Sequence, residues 1–238
     1  MPRKAGLVME LVIYTGTFGS GKTEISLNHA ISEVRRGRKV TLIDLDIIKP
    51  YFRSREAAAV LENEGIRLVS PHGSLAGADL PVVTPEITGA LISGEGLAII
   101  DVGGDTLGAV ALGRFKPYID ALGGYLQLVV NPYRPFTGTH EGVARLMESI
   151  QKAARLETRW IISNPNLGRE TTLDTVLEGH AAVEKMSRSL GIPVKFLAVY
   201  KPLLSDVSSL LPGVEVFPVE NYMLPPWYQE VNRLELEG

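Results

Sequence analysis

Cysteine is absent from all 238 residues of the sequence. Disulfide bonds, thiolate metal ligands and cysteine nucleophiles are therefore excluded. No apolar run approaches the roughly 20 residues that a membrane span requires. The short apolar segment near the N-terminus leads directly into a glycine-rich loop, which favours a strand over a signal peptide. These absences predict a cytoplasmic protein with no membrane anchor.

Neither sign of charge dominates the sequence. There are 24 Lys and Arg residues against 27 Asp and Glu residues, so the formal net charge is -3. This balance argues against nucleic acid as a partner, because protein surfaces that bind nucleic acid are strongly basic. Hydrophobic residues make up 45% and charged residues 21% of the chain, as in a folded globular protein. The length favours a single domain over residues 1–238.

Short apolar segments alternate with longer helical patterns along the chain. Most of the short segments are apolar at consecutive positions, which is typical of strands buried on both faces of a parallel sheet. We predict seven strands: Leu11–Tyr14, Val40–Ile43, Arg67–Val69, Leu97–Ile100, Leu126–Val130, Trp160–Ile162 and Val194–Val199. We predict five helices: Lys22–Arg35, Ser54–Glu64, Pro85–Ile92, Thr139–Arg155 and Leu173–Leu190. The alternation predicts a three-layer, doubly wound α/β fold with a mostly parallel sheet.

A glycine-rich loop connects the first predicted strand to the first predicted helix. It reads GTFGSGKT over Gly16–Thr23 and fits G-x-x-x-x-G-K-T. Glycines let backbone amides surround a phosphate, and the helix N-terminus adds partial positive charge. Lys22 then reaches the β- and γ-phosphates, and the Thr23 hydroxyl binds Mg²⁺. We expect these residues to contact the nucleotide: Gly16, Thr17, Phe18, Gly19, Ser20, Gly21, Lys22, Thr23 and Glu24.

Acidic residues end two further predicted strands. Asp44 and Asp46 follow the second strand, and Asp101 ends the fourth strand in the form of a Walker B motif. In open α/β sheets the ligand lies beyond the carboxyl ends of the strands, so all three carboxylates are expected near the phosphates. Asp101 would hold Mg²⁺, and the Gly104 amide would meet the γ-phosphate. Each Asp could instead cap a turn or a helix.

Together, the phosphate loop, the DLD strand end and the DVGG segment resemble the CobQ/CobB/MinD/ParA group of P-loop ATPases. The resemblance covers about residues 11–199 in motif order and spacing. It implies ATP and Mg²⁺ as ligands, with Asp44 near the Mg²⁺ ion. It also implies that Asp46 positions or activates the attacking water, which would make Asp46 and Lys22 the catalytic residues.

The resemblance also implies that Asn164, after the sixth strand, hydrogen-bonds the adenine edge. Guanine-binding relatives follow such an Asn with an Asp in N-K-x-D, and no such Asp follows Asn164. We therefore expect ATP rather than GTP. The alternative is that Asn164 and Pro165 simply form a turn.

One position departs from the resembled group. MinD and ParA proteins carry an additional Lys directly after the first loop glycine, which reaches the partner's nucleotide in a dimer. Thr17 stands there in this sequence, so a homodimer that acts through this position is not expected. Arg53 or Arg55 is a candidate substitute, or else both belong to an exposed helix face with ordinary ion pairs.

Three functions remain open. The first is a Mg²⁺-dependent ATPase that switches its conformation or its association with a protein partner. The second is an ATP-dependent kinase or ligase resembling dethiobiotin synthetase or the cobyrinate amidases, with an acceptor pocket formed by loops 70–81 and 131–139. The third is a nucleotide-binding adaptor with little or no hydrolysis. We interpret the proline-containing segment 131–136 as a rigid crossover rather than a substrate loop.

Overall fold

The computed structural model describes residues 9–45, 60–70, 85–93, 95–104 and 106–222. Several of the residues considered above lie outside these ranges. They are Asp46, Arg53, Arg55, most of the predicted second helix and nearly all of loop 70–81.

Eight strands form one sheet in the order β3-β2-β4-β1-β5-β6-β7-β8, and every neighbouring pair is parallel. This confirms the predicted α/β fold. The strands are β1 (Glu10–Thr15), β2 (Val40–Leu45), β3 (Arg67–Val69), β4 (Leu97–Val102), β5 (Leu126–Val130), β6 (Thr158–Ser163), β7 (Val194–Tyr200) and β8 (Val216–Val219). β8 was not predicted.

Helices connect the strands. They are α1 (Lys22–Arg35), α2 (Pro85–Ser93), α3 (Thr106–Gly113), α4 (Lys116–Ala121), α5 (His140–Ala154), α6 (Leu173–Leu190) and α7 (Leu204–Leu210). Residues 60–63 are also helical, and 3₁₀ turns span Gly168–Glu170 and Lys201–Leu203. α3, α4 and α7 were not predicted. No helix in the described part of the chain is both long and apolar enough to cross a membrane.

The sheet is the middle of three layers. Along β1, Leu11 and Ile13 belong to one hydrophobic cluster, whereas Val12 and Tyr14 belong to a second cluster on the other face. This follows from the two-residue period of a strand, which sends alternate side chains to opposite faces. α1 packs into the second cluster, and α2 to α5 pack into the first.

The position of β1 in the sheet determines where a ligand can bind. β1 lies between β4 and β5. The chain leaves β1 towards β2 on one side, and it leaves β5 towards β6 on the other. A crevice forms where neighbouring strands are followed by connections that run in opposite directions. The loops after β1 and β5 therefore border the expected ligand crevice.

Candidate functional site

The phosphate loop, Gly16–Thr23, follows β1 directly and leads into α1. Gly21 precedes the helix in the left-handed conformation at φ 88° and, as a glycine, supplies no side-chain cap. The first backbone N–H groups of a helix have no partner within the helix. The first turn of α1 is therefore suited to an anion, because the helix dipole also favours negative charge there.

Two glycines permit close contacts around this loop. A Cβ on Gly104, after β4, would lie 2.6 Å from Gly16 O and 2.7 Å from Phe18 N. A Cβ on Gly21 would lie 2.1 Å from the Asn164 side-chain nitrogen. The segment after β4 thus packs on one side of the loop and the segment after β6 on the other. A larger side chain at Gly104 would displace the loop backbone, and one at Gly21 would displace the Asn164 side chain.

Thr23 and the end of β4 are joined by a short hydrogen bond. Thr23 Oγ1 donates to Asp101 Oδ2 at 2.6 Å. Asp44 on β2 is in register with Asp101 on β4, so the two carboxylates occupy neighbouring strands about 4.8 Å apart. Both residues are only 1% exposed, and their strand neighbours face the opposite cluster. The two carboxylates therefore face the α1 side of the sheet, near Thr23.

The loop and strand ends fit a nucleotide phosphate and a Mg²⁺ ion. Lys22 is buried, with 6% exposure, and supplies positive charge. The hydroxyls of Thr17 and Ser20 are buried and have no hydrogen-bond partner within the described residues. A phosphate would provide acceptors for such donors, whose burial without a partner is costly. A hydroxyl and nearby carboxylates are the oxygen donors that Mg²⁺ uses with phosphate oxygens.

No cluster of three or more acidic or histidine side chains suited to a metal ion occurs among the described residues. This is compatible with a P-loop Mg²⁺ site, since Mg²⁺ there binds one or two protein groups together with phosphates and water. In such a site the ion depends on the bound nucleotide.

A cavity of ≈ 180 Å³ opens beside the phosphate loop. We call it the lateral cavity. It lies towards β5, β6 and β8, whereas Asp101 and Gly104 lie on the β4 side. Its lining is mostly polar and includes four asparagines. The lining residues are Gly19, Gly21, Glu24, Ile25, Asn131, Arg134, Asn164, Asn166, Val219 and Asn221.

Asn164 lies at the boundary between the phosphate loop and the lateral cavity. Its side-chain nitrogen donates to Ser20 O at 2.7 Å. The Asn164 side chain is therefore bonded to the loop backbone, and it also lines the cavity. Behind it, the hydroxyl of Ser163 lies 3.1 Å from His180 Nδ1 on α6. Burial lowers the pKa of His180, which favours the neutral ring next to this strand end.

The loop after β5, which the sequence predicts to be a rigid crossover, contacts the phosphate loop. Arg134 Nε donates to Gly19 O at 2.9 Å. Asn131 supports this loop, since its side chain donates to Asn166 O and accepts from Tyr133 N. The Tyr133 hydroxyl donates to Thr175 O on α6 at 2.7 Å. The motifs in the sequence gave no sign of these contacts, because they depend on β5 lying next to β1.

The end of β8 is attached to α1. The Asn28 side chain donates to Glu220 O at 2.9 Å and accepts from Glu220 N at 2.8 Å. Tyr222 N donates to Glu24 Oε1 at 2.6 Å. Glu24 immediately follows Thr23, so these bonds place Val219 and Asn221 in the wall of the lateral cavity.

Taken with this geometry, comparison with known proteins gives the class of fold. No family model and no curated protein matches the sequence. Solved structures do match, and the chain has the α/β fold of P-loop nucleoside triphosphatases. Structures that it resembles are signal recognition particle proteins and their receptor FtsY.

The cell division protein FtsY of Thermotoga maritima aligns with a TM-score of 0.58 and 23% identity over 83% of this chain and 65% of that chain. FtsY of Elizabethkingia anophelis in complex with GDP aligns with a TM-score of 0.52 and 18% identity, over 84% of this chain and 59% of that one. The signal recognition particle 54 kDa protein of Aeropyrum pernix K1, also in complex with GDP, aligns with a TM-score of 0.52 and 21% identity. The alignment covers 83% of this chain and 42% of that one. The chain thus covers less than two thirds of these neighbours' lengths.

Proposed function

We propose that this protein is a Mg²⁺-dependent ATP-binding protein that hydrolyses ATP and uses hydrolysis to switch its conformation or its association with a partner. The main support for the proposal is the hydrogen bond from Thr23 to Asp101, next to a glycine-rich loop that leads into a helix. In P-loop proteins, the residue types at these two positions hold Mg²⁺ against the β- and γ-phosphates. All eight described strands lie in one sheet, which supports a single nucleotide-binding domain.

The proposal of ATP as nucleotide rests on the segment after β6. Asn164 supplies an amide at the edge of the lateral cavity, and position 167, three residues later, is Leu. An acidic side chain at that spacing would accept hydrogen bonds from the guanine N–H groups. The Glu24 carboxylate also lines the cavity, but it already accepts from Tyr222 N. These observations support adenine.

GTP is the alternative nucleotide. Two of the structures that the chain resembles are complexes with GDP. The asparagine side chains of the lateral cavity offer both donors and acceptors. We also propose that the chain is related to the CobQ/CobB/MinD/ParA group. This proposal rests on the phosphate loop, the DLD strand end and the DVGG segment.

We propose that Asp46 positions the attacking water. Asp46 lies outside the described residues, but Asp44, two residues earlier, faces the α1 side of the sheet beside Asp101. Hydrolysis of a phosphoanhydride needs a water held in line with the γ-phosphate more than it needs covalent chemistry from the protein. The position of Asp46 in the sequence, directly after the strand that pairs with the strand of Asp101, supports that role.

Competition and turnover measurements test this proposal together. We expect unlabelled ATP to displace a labelled ATP analogue more effectively than GTP, in the presence of Mg²⁺. Asp46→Ala should retain ATP affinity and lose about 10²–10⁴-fold in single-turnover hydrolysis, as for loss of a positioning or general-base group. A control variant, Asp206→Ala on the exposed side of α7, should keep the parental rate.

The possible outcomes separate the candidate functions. If GTP displaces the labelled analogue more strongly than ATP does, the preferred nucleotide is GTP and not ATP. Turnover that requires an added metabolite would favour a kinase or ligase, and binding without turnover would favour an adaptor. If Asp46→Ala hydrolyses ATP at the parental rate, its catalytic role is wrong.

A further inference from the structure

The loop after β5 places a cation at the nucleotide crevice that the phosphate-loop motif does not include. Arg134 lies between Pro132 and Pro135, and its side chain lines the lateral cavity together with Gly19. The loops after β1 and β5 leave the sheet in opposite directions. Arg134 and the phosphate loop therefore meet at the crevice where α/β sheets bind ligands.

The Arg134 side chain is held against the loop by packing as well as by a hydrogen bond. A Cβ on Gly19 would lie 3.0 Å from Arg134 Nε and 3.3 Å from its Cζ. The guanidinium group thus rests on the Gly19 backbone while Nε donates to Gly19 O at 2.9 Å. Gly19 has φ 76°, so both its conformation and the space around it favour glycine.

Among the described residues, only one donor of this guanidinium group has a hydrogen-bond acceptor. The terminal nitrogens of Arg134 make no hydrogen bond or ion pair with any residue in the described ranges. The side chain is half-buried. A half-buried cation that makes no ion pair with any described residue favours a ligand that is anionic or has an electron-rich ring.

The side of the loop on which Arg134 lies distinguishes between these ligands. Asp101, Asp44 and Gly104 mark the β4 side, where Mg²⁺ and the γ-phosphate are expected. Arg134 lies on the opposite side, beside Asn131 and Asn164 in the lateral cavity. A nucleotide with its phosphates in the loop and its γ-phosphate towards Asp101 extends its sugar and base into this cavity.

We infer that Arg134 is a nucleoside-binding residue, whose flat guanidinium group forms one wall of the base and ribose site. Guanidinium groups stack on aromatic rings and keep their charge at all relevant pH values. The contact that Arg134 makes with Gly19 O would also couple occupancy of the nucleoside site to the conformation of the phosphate loop. This inference rests on the proposed nucleotide-binding function and names the group that recognises the nucleoside half of the ligand.

The test separates nucleoside from phosphate binding by titrating two ligands, Mg²⁺-ATP and Mg²⁺-tripolyphosphate, into the full chain. Arg134→Ala should weaken ATP binding by about 3- to 30-fold, the range for loss of one cation–π or stacking contact. It should leave tripolyphosphate affinity at the parental value. Arg145→Ala removes an exposed arginine of α5 and should change neither affinity.

A second variant controls for a change in the conformation of the phosphate loop. In Arg134→Lys the ammonium group can still donate to Gly19 O, but the planar group is lost. We expect it to keep the parental melting temperature and tripolyphosphate affinity and still to bind ATP more weakly than the parent.

An equal loss of affinity for ATP and for tripolyphosphate in Arg134→Lys would overturn the inference and make Arg134 a phosphate-binding residue. Unchanged ATP affinity in both Arg134 variants would overturn it as well. These outcomes differ from failure of the proposed function, in which the parent protein itself would bind neither ATP nor GTP.

Discussion

Thr23 Oγ1 donates a 2.6 Å hydrogen bond to Asp101 Oδ2, which joins the first turn of α1 to the carboxyl end of β4. Asp44 lies in register with Asp101 on the adjacent strand, and both carboxylates are almost fully buried. Two buried carboxylates side by side repel each other, and nearby positive charge relieves the repulsion. A Mg²⁺ ion bound with the nucleotide would supply that charge.

Asp101→Asn should remove the dependence of ATP affinity on Mg²⁺. The amide oxygen can still accept from Thr23, so the hydrogen bond is retained while the charge is lost. Calorimetric titrations with ATP in Mg²⁺ and in EDTA measure the effect. Asp120→Asn, which alters an exposed carboxylate paired with Lys116, is the matched control. An undiminished effect of Mg²⁺ in Asp101→Asn would mean that Asp101 does not serve the ion.

Gly104→Ala should displace the phosphate loop. Its Cβ would lie within 2.8 Å of three backbone atoms of Gly16, Thr17 and Phe18, and backbone cannot rotate away as a side chain can. Overpacking of this kind costs about 1–3 kcal/mol. We expect weaker ATP binding by calorimetry. Gly89→Ala lies on α2, where the added Cβ meets no described atom outside its own helix within 4 Å, and it should bind ATP like the parent. If Gly104→Ala does too, the loop tolerates the added methyl group.

Some elements follow directly from the sequence because local signals define them. α6 was predicted with both of its ends, since Gly191 adopts the left-handed conformation that ends the helix and glycine is favoured there. α1 and β5 were also predicted with their observed limits. The glycines and Lys22 of the phosphate loop were recognisable because a complete motif stood between a strand and a helix.

Other features depend on tertiary structure. β8 was not predicted because it is short and contains Pro218. Proteins tolerate proline mainly in edge strands, and β8 is the last strand of the sheet. α3 contains two glycines and has no polar stripe. The proximity of Arg134 to Gly19 requires β5 to lie beside β1, and strand order is not encoded in any local pattern.

Leu167→Asp should shift nucleotide preference towards GTP. It introduces a carboxylate three positions after Asn164, at the spacing that reads guanine in N-K-x-D proteins. Leu167 is 38% exposed, so the substitution should cost little stability. Competition of ATP and GTP against a labelled ATP analogue gives the ratio of affinities. Leu210→Asp, at another exposed leucine, should leave the ratio unchanged. No shift in Leu167→Asp would argue against Asn164 as the base-reading residue.

Acid should destabilise the fold through His29. Burial lowers the pKa of His29 to about 4, against about 6.5 in an unfolded chain. The unfolded state therefore binds more protons between these values, and the free energy of unfolding falls as pH falls from about 6.5 towards about 4. The ring also lies against the Tyr14 hydroxyl, 3.0 Å from Nδ1.

Thermal melts at pH 7 and pH 5 test this contribution. His29→Asn, whose amide oxygen can replace Nδ1 as an acceptor, should reduce the loss of melting temperature between the two pH values. His180 contributes in the same direction, so some loss should remain. His140→Asn, at an exposed position of α5, should behave like the parent. If the melting temperature falls equally in His29→Asn and in the parent between pH 7 and pH 5, His29 does not contribute to the acid sensitivity.

Calorimetric titration of the parent and of Lys22→Ala with Mg²⁺-ATP is the most direct test of nucleoside triphosphate binding by the phosphate loop. Lys22 is the buried cation of the loop, and loss of a hydrogen bond from a charged group costs about 1.5–3 kcal/mol, or roughly 10- to 150-fold in affinity. We predict saturable binding by the parent and at least that loss of affinity in Lys22→Ala, with both proteins folded by thermal melt. Equal affinity in the two proteins, or no binding of ATP or GTP by the parent, would contradict this prediction.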